Sequence, residues 1–139
     1  MAHFDDLSPY RYSGKNQPGV VHVGWLERGH EYARGKVRVT LLWKMKRMAQ
    51  VPCELYRGRH ICDLCEMPVE LVGKSQAEEW ERQRRGSGEI RVSSGGITYA
   101  APVLITHYIE AHGYLPPIEF LRALGGWHWF REPDPKWRD

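Results

Sequence analysis

No apolar run in this 139-residue chain approaches the ~20 residues that a membrane-spanning helix needs. Neither sign of charge dominates: 20 Lys and Arg face 17 Asp and Glu, and the net charge of +3 is too small to name nucleic acid as a partner. Cysteine is scarce and odd in number, with Cys53, Cys62 and Cys65 alone, which argues against a disulfide framework. The opening residues, MAHFDDLSPY, lack a basic start followed by an apolar stretch, so the sequence predicts no signal peptide and a cytoplasmic location. Internal repeats and low-complexity runs are absent too. What is present is ordinary for a folded domain: 42% hydrophobic and 27% charged residues, on a chain long enough to bury one core. Trp is plentiful, with six residues, three of them after Gly125.

Three stretches follow from composition: an N-terminal arm at 1–19, an α+β domain at 20–124 and a Trp-rich tail at 125–139. Within the domain, Val21, Val23 and Trp25 alternate with His22 and Gly24, the period of a strand with the apolar residues on one face. Val37, Leu41, Leu42, Met45, Met48 and Ala49 recur at helical spacing, predicting an amphipathic helix over 36–50 that ends before Pro52. A short strand is expected at Cys53 to Tyr56. Ser75 with Glu78 forms a capping box for a short, charged helix over 74–85. Glu89 to Val92 and Ile97 to Ala100, joined by Ser93, Ser94, Gly95 and Gly96, read as a β-hairpin. Ala101 and Pro102 then open a helix running to His112, with Gly113 as its C-terminal stop. A last short helix after Pro117 carries Ile118, Leu121 and Leu124 on one face.

The chemistry lies in Cys62-x2-Cys65 and His107-x4-His112. A redox role for the cysteine pair needs a helix to follow it, and Met67-Pro68 follows instead. Short cysteine spacing combined with histidines three to five residues apart is the ligand grammar of structural zinc. Thiolates plus imidazoles favour Zn2+ over Mg2+ or Ca2+. Residues five apart on a helix are turned by roughly 140°, so His112 meets His107 only if it sits at the last turn before Gly113. Knuckle, hairpin and helix come in the order of a treble-clef-like unit, though a helix starting at Ala101 places His107 about two turns in. His60, two residues before Cys62, shares its strand face and is either an alternative ligand or an outer-shell partner. Cys53 reads as a buried apolar residue.

Several further motifs occur in the same order: Val23-Gly24-Trp25-Leu26, Arg57-Gly58-x-His60-x-Cys62-x-x-Cys65-Glu66, Gly88-Glu89-Ile90-Arg91-Val92, Tyr99-Ala100-Ala101-Pro102, and the run from His107 to Phe120. Together they resemble a family of small uncharacterised bacterial proteins, over most of residues 7–124. The resemblance implies that His60, Cys62, Cys65, His107 and His112 belong to one recurring pattern. It implies no activity. The charged stretch from Gln76 to Arg85 and the tail after Gly125 depart from it.

Catalytic patterns fail one by one. The segment His107 to His112 has neither zincin spacing. The zinc deaminase pattern lacks its H-x-E and its Pro before the cysteines. There is no nucleophile elbow and no P-loop. A metal-dependent ββα nuclease stays open, with Glu110 as general base or, alternatively, as a solvated helix carboxylate. Glu89 and Arg91 read as an exposed pair worth about 0–1 kcal/mol. Basic clusters lie at Arg34 to Arg47, Arg57 to Arg59 and Arg82 to Arg85. The expected function is therefore a zinc-stabilised interaction or adaptor module, leaning away from an enzyme. Nucleic-acid binding or hydrolysis is the alternative. The tail either packs back on the domain and completes its core or engages the expected partner, an unidentified protein or a second copy, and no membrane is expected.

Overall fold

The computed structural model describes residues 3–12, 17–52, 60–65, 75–76, 78, 85–86 and 88–125, with backbone only at 60–61 and 85–86. The expected strand at 53–56, most of the charged helix at 74–85 and the tail after Gly125 lie outside them; Ser75, Gln76 and Glu78 are helical.

A hairpin forms the centre. Strands β4 (Glu89–Ser94) and β5 (Ile97–Pro102) pair antiparallel, Arg91 opposite Ala100. Gly95 and Gly96 make the turn at φ +59° and +80°, the two consecutive left-handed residues that a tight hairpin turn requires. Strand β1 (Val20–His22) joins the other edge of β5 in parallel, with His22 opposite Ala100. The sheet order is β1-β5-β4, and a separate two-residue ladder pairs β2 (His60–Ile61) with β3 (Arg85–Gly86). The fold is thus a small α+β unit with helices α1 (Val39–Ala49), α2 (Ile105–His112) and α3 (Ile118–Gly125).

Strand alternation divides the core between two faces. Ile90, Tyr99 and Ala101 face the larger cluster, built with Leu41 and Met45 of α1, Ile105, Tyr108 and Ile109 of α2, and Phe120, Leu121 and Leu124 of α3. Ala100 faces the smaller one, which Tyr10 and Trp25 complete. Residues 3–12 cover that second face: the N–H of Leu7 donates to the His22 carbonyl at 2.7 Å and the N–H of Tyr10 to that of Val20 at 2.9 Å.

Several expectations are corrected. The strand ends at His22 rather than running to Trp25, because Gly24 takes φ +75°. The left-handed residue reverses the alternation, so Val23 enters the large cluster and Trp25 the small one, where its indole N–H donates to the Ala100 carbonyl at 3.0 Å. A Cβ on Gly24 would stand 3.0 Å from two Ile105 side-chain carbons. His22 is fully buried against Phe4. Helix α1 starts at Val39, not Lys36. Ala101 and Pro102 finish β5 opposite Ile90 and Glu89 rather than opening α2; Pro at a strand end forfeits no ladder bond. Phe120 takes the buried place expected of Ile118, which is 42% exposed.

Candidate metal centre

The two halves of the centre come from different parts of the chain. Cys62 and Cys65 sit on the turn that follows β2, and His107 and His112 on α2. Because α2 starts at Ile105, His107 is in its first turn and not two turns in, which is where a treble-clef-like unit places a helical ligand. His112 is the last helical residue, and Gly113 at φ +65° turns the chain away behind it. Its N–H donates to the Tyr108 carbonyl. The five-residue interval is therefore bridged as its spacing demands, by a side chain at each end of a helix of 8 residues.

One donor atom from each of the four side chains lies within 4.8 Å of the others. Cys65 Sγ is 3.2 Å from His107 Nε2 and 3.2 Å from His112 Nε2, and Cys62 Sγ is 3.4 Å from His112 Nε2. A thiol has one proton, so a single S–H···N bond cannot account for Cys65 meeting two imidazole nitrogens. The edges of a tetrahedron with zinc-type bond lengths give sulfur–nitrogen separations of about 3.6 Å, close to those found. A cation at the centre would satisfy all four atoms at once. The cluster can thus hold a metal ion.

The surroundings are arranged around the sulfurs. Cys62 is buried, and burial pushes its thiol up to about 11. A thiolate there needs a positive charge beside it, which a bound cation supplies. Tyr108, buried beneath the cluster, has its hydroxyl pushed well up by burial and then by the charge of Cys62. Arg28 grips the cysteine turn from outside: Nε donates to the Asp63 carbonyl at 2.7 Å, Nη2 to the Cys65 carbonyl at 3.3 Å, and its backbone N–H to Asp63 Oδ1 at 3.2 Å. Tyr32 ties down the other half, donating its hydroxyl to the His112 carbonyl at 3.0 Å. Neither residue stood out in the sequence. Both fall in a charged, Gly-punctuated loop with no periodicity to reveal what it touches.

Residues 2–125 match the domain of unknown function DUF7919. The chain belongs to this family. No curated protein and no solved structure matches it. In this DUF7919 chain, Glu110 and Glu89 are engaged by partners outside the centre. The His60 side chain lies outside the described residues. Glu110, weighed as a general base, is half exposed and bonded to Lys46 Nζ at 2.8 Å. Glu89 is fully buried, not an exposed partner of Arg91: Arg91 Nε donates to Glu89 Oε1 at 2.9 Å, and the Tyr10 hydroxyl donates to Glu89 Oε2. The arm at 3–12 converts a surface pair into a buried one. No helix of the described residues is long and apolar enough to cross a membrane.

Proposed function

We propose that Cys62, Cys65, His107 and His112 bind one Zn2+ and that the ion is structural. The convergence of two cysteine sulfurs and two imidazoles from segments more than forty residues apart in sequence carries this reading. Four protein ligands leave no open position for a reacting water, and Glu110, the carboxylate between the two histidines, is engaged by Lys46. The chain then acts as an interaction or adaptor module of the cytoplasm rather than as an enzyme. The motifs that frame the ligands, His60 included, form a recurring pattern of a bacterial family. The exposed pair Val39 and Trp43 on α1, 54% and 65% accessible, supports an interaction role. The Trp-rich residues after Gly125 are the proposed contact with a partner protein or a second copy.

The test is metal analysis of protein purified without chelator. About one zinc per chain, lost in Cys62→Ser and His107→Ala, is the expected result; zinc near zero removes the reading. A Cys62→Ser variant that keeps full zinc transfers that ligand position to His60. Deletion of residues 126–139 should abolish self-association or partner capture and leave the zinc in place.

Nucleic-acid binding is the second reading, favoured by one observation: Arg28 and Arg34 line the same depression beside the centre.

A further inference from the structure

A cavity of about 520 Å3 opens between the loop at 28–34 and the C-terminal turn of α2. Arg28, His30, Tyr32 and Arg34 line one side, and His112 and Gly113 the other. Among the described residues, no carboxylate lines it. Glu31 borders the adjoining depression instead, and Glu27 is turned toward His30 at 3.9 Å.

We infer that this cavity binds the phosphate group of an organic ligand, with Arg34 as the principal recognition residue. The backbone of Arg34 is bridged antiparallel to Tyr114, and hydrogen bonds from Leu115 N–H to the Ala33 carbonyl at 2.9 Å and from Gly35 N–H to the Gly113 carbonyl at 3.0 Å flank it. Its guanidinium stacks 4.6 Å above the Tyr32 ring, and it meets no carboxylate among the described residues. A guanidinium held by stacking keeps its N–H fork for a planar or tetrahedral oxyanion.

Capping of α2 does not require Arg34. The Tyr108 carbonyl takes two N–H groups, the His112 carbonyl takes the Tyr32 hydroxyl, and the Gly113 carbonyl takes Gly35 N–H. The volume exceeds that of a bare phosphate and lies in the range of small-molecule sites. A phosphomonoester on a small molecule and the phosphodiester of a nucleic-acid strand share the recognised group.

The test titrates the zinc-loaded full chain with inorganic pyrophosphate, adenosine monophosphate, a short single-stranded oligonucleotide and, as a carboxylate control, glutarate. Pyrophosphate should bind saturably and shift the amide signals of Gly29, Arg34 and Gly113. Arg34→Gln should weaken it at least about tenfold, the scale of one charged hydrogen bond, with melting temperature and zinc content unchanged. Arg47→Gln on α1 should leave it unchanged. Tighter binding of the mononucleotide assigns a small-molecule source; tighter, steeply salt-dependent binding of the oligonucleotide assigns a nucleic acid. The inference is overturned if no phosphate probe saturates, if signals shift on α1 instead, if Arg47→Gln weakens binding as much as Arg34→Gln, or if glutarate binds as well as pyrophosphate. Zinc is measured in the same samples, so phosphate binding to zinc-free protein defeats the metal reading alone.

Discussion

Cys65 Sγ lies 3.2 Å from His107 Nε2 across forty-two residues of chain. Between them run the charged stretch and the whole hairpin, so an ion at this point closes a long loop. Loss of one ligand leaves two thiolates and one imidazole around an incomplete shell. His107→Ala should lower the melting temperature by at least ~5 °C, corresponding to ~1–2 kcal/mol or more. Glu110→Ala removes only a surface ion pair and should cost less than ~1 kcal/mol. Calorimetry of the two variants, with and without chelator, checks both. A Glu110→Ala variant with native stability but a lost hydrolytic activity would instead favour an enzyme.

Arg28 holds two carbonyls of the cysteine turn with one planar side chain. Lysine has the charge but not the fork. Arg28→Lys should therefore weaken zinc binding by about 10–100-fold, the usual cost of losing an outer-shell partner. Competition with a chromophoric chelator measures it, and an unchanged affinity would make the clamp incidental.

Glu89 is fully buried, with Tyr10 and Arg91 both donating to it. Removing one member of a buried charged pair is costly because the other stays behind. Glu89→Ala should destabilise the fold by ~3–5 kcal/mol in urea unfolding. Replacing Tyr10, Glu89 and Arg91 together by Phe, Leu and Met should cost less than the single change, since no charge is then stranded.

His22 stacks on Phe4 at 3.8 Å and accepts the Arg11 N–H at Nε2, which places its ring proton at Nδ1. Burial holds it down at about 4, against about 6.5 in an unfolded chain. The folded state therefore binds fewer protons than the unfolded state between these values. Its contribution is fully present above about pH 6.5 and is lost as pH falls toward 4, by up to about 3 kcal/mol. Acid also strips metal, so the comparison is with His22→Phe, whose stability between about pH 7 and pH 5 should fall less steeply than that of the wild type.

The hairpin, α3, the Gly113 stop and the four side chains that cluster as a possible metal site were legible in the sequence, because each rests on a local rule: consecutive turn glycines, helical period, left-handed glycine and ligand spacing. The helix boundary at Ala101 was misread for a physical reason. Ala101-Pro102 suits a helix start and a strand end equally, and only the register with Ile90 and Glu89 decides between them. The same holds for Ile118 and Phe120, whose order of burial depends on where α3 lies against the sheet.

Periodicity and spacing along the chain determined the α+β composition and the identity of the four clustered donors, since neighbours a few residues apart set backbone conformation and ligand type. Tertiary structure alone decided that Glu89 and His22 are buried, that Arg28 and Tyr32 clasp the two halves of the centre, and that a basic cavity lies beside it. Those outcomes depend on the arm at 3–12 covering one sheet face and on the loop at 28–34 crossing the end of α2. They are contacts between segments far apart in sequence, and no local pattern encodes which surface will meet which.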